Sequence, residues 1–168
     1  MTLTAQQKAI IKADILANAD LNSQPNTADG AFAIAEAYQQ IAVPAFFIWK
    51  PEETSVTEIM GNGFDWVRVD NLSVGKARIW EWMALTGTIK GYQANVRQGV
   101  LACFSVSGGD AGMRLAIFGH LQRTAKRIEK LFSTGVGTTT TDQAVGPGTT
   151  MWTQGNPTYT EILEARNS

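Results

Sequence analysis

Apolar positions recur at helical spacing along most of the chain, and turn residues cut the pattern at regular places. Ile10, Ile11 and Ile15 follow Thr4-x-x-Gln7, a capping-box pattern whose side chains satisfy orphan amides at a helix start. A first helix is predicted over about 4–18, with Asp14 spoiling the edge of its apolar arc. Leu21-Asn-Ser-Gln-Pro-Asn26 is turn chemistry. A second helix starts near Thr27 and sets Phe32, Ile34, Ala35, Tyr38 and Ile41 on one broad face. Pro44 cannot continue it and biases Val43 toward an extended shape. The run from Val43 to Trp49 reads as a short strand or a buried connector, and periodicity does not separate the two.

Beyond a helical turn around 55–60, ended by Gly61-Asn-Gly63, Asp70 or Asn71 caps a third long helix over 72–85. It carries Val74, Ile79, Trp80, Trp82 and Met83 and closes at Gly87. A fourth is predicted over about 92–105. A fifth and longest spans 111–132, carrying Leu115, Phe118, Leu121, Ile128, Leu131 and Phe132. The fold class that follows is mainly α: a bundle of about four to five helices over 1–133 with an extended C-terminal arm over 134–168.

Residues 134–150 are almost all Gly, Thr and small side chains, a composition that cannot bury a face and reads as a flexible arm. Seventeen such residues reach on the order of 55 Å when extended, at about 3.3 Å each. Apolar anchors follow: Met151 and Trp152, then Tyr159, Ile162 and Leu163 in a short helix opened by a second capping box, Thr158-x-x-Glu161. Such a segment docks either on a neighbouring subunit or back on its own domain.

Composition narrows the function classes. Apolar residues make up 44% and charged residues 17% of 168, with a net charge of −1, so nothing draws the chain as a whole toward nucleic acid or an acidic membrane. No run of 18 apolar residues predicts a membrane span. The leading residues, with Asp14 and two glutamines, lack the apolar core of a signal peptide, which predicts a chain made and kept in the host cytoplasm unless it is carried out as part of a particle. One histidine, His120, and one cysteine, Cys103, are too few for a zinc site of usual ligands. The carboxylates Glu52, Glu53, Asp65, Asp70 and Glu81 are scattered, and the paired glycines lack the flanks of a phosphate loop. The sequence therefore predicts no catalytic residue, no cofactor and no metal. One cluster has an edge: Arg123, Lys126, Arg127 and Lys130 fall at i, i+3, i+4, i+7 within the fifth predicted helix. That basic stripe is a solvated face or a contact for a nucleic-acid backbone or acidic partner.

Four segments carry a resemblance. Gly63-Phe-Asp-Trp-Val-Arg-Val-Asp-Asn-Leu-Ser-Val-Gly-Lys-Ala-Arg-Ile-Trp-Glu-Trp82 is similar to proteins encoded in the structural gene clusters of tailed bacteriophages and prophages. So are Leu21–Asn26 with the helix after it, Ala94-Asn-Val-Arg-Gln-Gly99 and Glu129-Lys-Leu-Phe-Ser-Thr-Gly135. The likeness runs in the same order along nearly the whole chain. It implies a non-enzymatic virion component near the head or the head–tail junction. A helical core with a long arm also resembles the adaptor (head-completion) subunits that form a ring beneath the portal. The resemblance then implies copies of the chain in that ring, contacts with portal and tail or neck proteins, and the basic stripe facing packaged DNA. Tail completion and capsid decoration are the neighbouring readings. A small helical DNA-binding protein using the stripe is the reading from another class.

Overall fold

In the computed structural model the described residues are 3–61, 63–105, 109–133, 137 and 155–168. Among them the protein is mainly α-helical, with ten helices and four strands of two or three residues. The helices are shorter and more numerous than the pattern predicts, and the chain divides into two compact units. One is built from three separate stretches, 1–45, 125–133 and 152–168; the other from 46–124 with 134–151.

The first unit begins with α1 (Ala5–Ala17), capped as expected. The Thr4 hydroxyl accepts from the Gln7 amide, and the Gln7 side chain accepts from the Thr4 amide. A one-turn α2 (Ala19–Asn22) follows where only a turn was expected, then α3 (Ala28–Gln39). Gly30 is required in α3, because a Cβ there would lie 2.0 Å from the Pro25 carbonyl oxygen. Past α3 the backbone runs beside residues 125–127. The Ala42 amide donates to the Ala125 carbonyl at 3.0 Å and the Arg127 amide to the Gln40 carbonyl at 2.8 Å. This stitch leads into α9 (Arg127–Leu131).

The last element is α10 (Tyr159–Asn167), opened by the predicted Thr158–Glu161 capping box. It packs against α1 and α3. Ile162 and Ala165 are fully buried in a core with Leu3, Ile11, Ile15, Ile34 and Tyr38. Ion pairing of Lys8 with Glu164 at 2.7 Å, and Arg166 donating to the Pro25 and Gln24 carbonyls, fix its ends. The expectation of an arm over 134–168 is therefore corrected for 159–167. A helix with so narrow an apolar face needs cover, and its own chain supplies it.

The second unit holds β1 (Phe47–Trp49), β2 (Thr54–Ser55), α4 (Val56–Ile59), α5 (Trp66–Asp70), α6 (Val74–Leu85), β3 (Thr88–Ile89), α7 (Ala94–Cys103), α8 (Gly109–Leu121) and β4 (Gln122–Thr124). The ambiguous run 43–49 thus contains a strand. β1 pairs antiparallel with β4, Ile48 opposite Arg123, and β2 pairs with β3, Thr54 opposite Ile89. The predicted long helix over 111–132 is corrected here. It stops at Leu121, and residues 122–124 pair with β1, a partner more than seventy residues away that no local period reveals. Gly87, at φ 76°, closes α6 as expected, in a left-handed conformation that favours glycine.

Aromatic rings build this unit's core. Trp49 meets Phe118 edge-on at 5.1 Å, and Trp80 meets Phe104 at 5.5 Å in the same geometry, favourable for ring quadrupoles. Arg97 stacks its guanidinium 4.9 Å from the Trp49 ring and donates to the Gly91 and Tyr92 carbonyls at 2.8 Å. Burial pushes its pKa down.

Candidate functional site

The four basic residues of the predicted stripe do not share a helix. Arg123 lies on β4, Lys126 precedes α9, and Arg127 and Lys130 lie within it. The Arg123, Arg127 and Lys130 side chains make contacts nearby, whereas at Lys126 it is the backbone that bonds. The Lys126 amide donates to Glu129 Oε2 at 2.8 Å, and Arg123 Nη1 donates to the Thr124 carbonyl at 3.3 Å. Lys130 Nζ donates to the Pro44 carbonyl at 3.3 Å. The single helix that was expected to carry all four is therefore not formed. The periodicity is real in the sequence, but it crosses a strand.

Arg127 instead centres a polar network in the first unit. Its Nη1 lies 2.8 Å from Asp20 Oδ2 and its Nε 3.9 Å from Asp14 Oδ2. The Tyr38 hydroxyl donates to the same Asp14 oxygen at 2.9 Å, and the guanidinium carbon sits 5.8 Å from the Tyr38 ring centroid. Hydrogen bonding to Arg127 holds the Asp20 carboxyl below its ordinary range. Burial first, and then the Asp14 charge, push the Tyr38 phenol far above its ordinary value. The network joins α1, α2, α3 and α9 and forms one wall of a groove of about 730 Å³, also lined by Asn18 and Gln40. Sequence reading missed it. Its trace was Asp14 on the apolar edge of the first helix, a position that makes sense only with a buried donor facing it.

The remaining candidates for chemistry are occupied structurally. Cys103 is buried and donates Sγ to the Lys76 carbonyl at 3.4 Å, and burial raises its pKa, so little thiolate forms. His120 Nδ1 lies 4.0 Å from Glu58 Oε1, a carboxylate already paired with Lys50 at 2.8 Å and lowered in pKa chiefly by that hydrogen bond. Among the described residues no group of three His, Cys, Asp or Glu side chains is placed to hold a metal ion. No described helix is long and apolar enough to cross a membrane.

Of the predicted anchors, Met151 and Trp152 lie outside the described residues. Ile162 is buried within its own unit, Leu163 packs partly against the same core, and Tyr159 remains half exposed. Large apolar side chains do reach the surface in the second unit. Trp66, Val67, Val74, Trp82 and Leu85 are each more than half exposed. Trp80 and Trp82, two positions apart on α6, sit about 200° apart on a helix, so one enters the core while the other leaves it. Trp82 also walls an apolar groove of about 530 Å³ with Met83, Ile89 and Val96, rimmed by the Glu53–Lys90 ion pair at 2.9 Å. A scan of protein-family models and searches of curated proteins and of solved structures return no match.

Proposed function

We propose that this chain is a non-enzymatic virion protein of a tailed bacteriophage, an adaptor subunit of the head–tail connector ring that joins portal to tail around the DNA channel. One observation carries the reading. One of the stretches with a phage likeness, Gly63–Trp82, folds into α5 and most of α6 and turns Trp66, Val67, Val74 and Trp82 outward. A segment that kept its aromatic residues for the core would leave charged residues there. Exposed Trp is instead the composition of a contact between subunits. Such a protein acts by position, and the polar groups described above then serve folding rather than turnover.

Contact of Arg123, Lys126, Arg127 and Lys130 with packaged DNA is not part of the proposal, because the single helix on which that stripe was expected is interrupted by β4 at 122–124. Removing the gene from the phage that encodes it tests the assignment. The expected product is DNA-filled heads and separate tails that fail to join. Joined particles of normal morphology would overturn the adaptor role. Loss limited to head stability or to tail ends would favour capsid decoration or tail completion instead.

A further inference from the structure

The outward face of α6 has a spacing of its own. Val74, Arg78, Glu81 and Leu85 are all exposed and follow steps of four, three and four residues, the repeat of a coiled-coil seam. Val74 is 72% and Leu85 74% exposed, so neither contributes to the core of its unit. Neither Arg78 nor Glu81 has an ion-pair partner among the described residues. A solvated helix face has no need of apolar residues at both ends of that repeat.

The order apolar–basic–acidic–apolar is also symmetric about the middle of the helix. We propose that α6 pairs with α6 of a second copy of this chain, antiparallel about a two-fold axis near residues 79 and 80. In that register Val74 meets Leu85 of the second copy at each end. Arg78 meets Glu81 of the second copy twice across the centre. The parallel alternative sets Arg78 against Arg78 and Glu81 against Glu81, so charge selects the antiparallel orientation. A two-fold contact must be complementary to itself, and this pattern is.

The flanking residues fit the same register. Gly75 and Trp82 occupy equivalent positions beside the seam, one heptad apart, and face each other across the axis. A Cβ built on Gly75 meets nothing within 4 Å, so the space beside it is open to the Trp82 indole of the second copy. Trp82 is 68% exposed and would cover the charged pair from water. Because α6 has only 12 residues, about 18 Å, the seam is short and the association correspondingly weak.

The inference concerns the purified chain: a two-fold pairing closes on itself, so the dimer is a solution state that must open before the same face makes the head-to-tail contacts of a ring. Sedimentation equilibrium of the full chain tests it with four proteins: wild type, Arg78→Glu, Glu81→Arg and the double exchange. Wild type is expected to show a reversible monomer–dimer equilibrium. Each single exchange sets like charges in contact and is expected to weaken dimerisation about tenfold or more, and the double exchange to restore it to within about threefold of wild type. A wild type that stays monomeric would overturn the pairing. So would single exchanges without effect, or a double exchange no tighter than the singles.

Discussion

The two units solve the problem of a small core in opposite ways. The first is aliphatic and gathered from three distant stretches, with Ile11, Ile15, Ile34, Ile128 and Ile162 meeting from four helices, α1, α3, α9 and α10. The second is read largely from one continuous stretch and is built on aromatic rings; four of the five tryptophans fall within 46–124. The first unit uses its last helix and a Tyr–Asp–Arg network to close the ends of the chain on each other. The second divides its tryptophans between interior and surface. Closure is therefore the physical task of the first unit, and presentation that of the second.

The two tryptophans of α6 offer the sharpest test of that division. Trp80→Ala removes a 4%-exposed ring packed edge-on against Phe104 and is expected to cost about 3–5 kcal/mol in urea unfolding. Trp82→Ala, on the outer face, is expected to stay within about 0.5 kcal/mol. Similar costs for both would erase the distinction. Next in size is Ile162→Ala, a fully buried contact of the terminal helix, expected to lose about 2–4 kcal/mol. A neutral result there would mean that α10 is not part of the first unit's core.

The sequence showed some of this architecture and concealed the rest for identifiable reasons. Both capping boxes, at Thr4 and Thr158, were legible because they are closed within four residues. So were α7 and the end of α6, where apolar spacing and Gly87 act locally. The break after Leu121 was not, because the pattern at 122–130 is helical and the strand partner that overrides it is Phe47–Trp49. The two-unit division was hidden for the same reason: it depends on residues 40–42 meeting 125–127. The terminal helix was visible as an apolar segment in need of cover, but its sequence did not say whose surface would cover it. At the candidate surface, Trp80 and Trp82 read alike in a list of apolar positions. Only the packing of α6 shows which one faces out.

Two smaller effects probe closure of the first unit. Tyr38→Phe deletes the donor to Asp14 and is expected to cost about 1–2 kcal/mol by thermal or urea unfolding, with little change in secondary structure by circular dichroism. The pH dependence is finer still. Asp20 is held below its ordinary value of 3.8 by Arg127, so its contribution to stability is present above that value and is lost as pH falls through the lower folded one. Arg127→Met is expected to remove this acid-side slope from the stability profile. An unchanged slope would show that the Arg127–Asp20 pair is not formed in solution.

Location tests the account at its centre. A cryo-electron reconstruction of the phage particle that carries this gene should show the helical density of this chain as a ring between portal and tail, with α5 and the outer face of α6 covered by protein. Density elsewhere in the particle, or none, would contradict the proposed role.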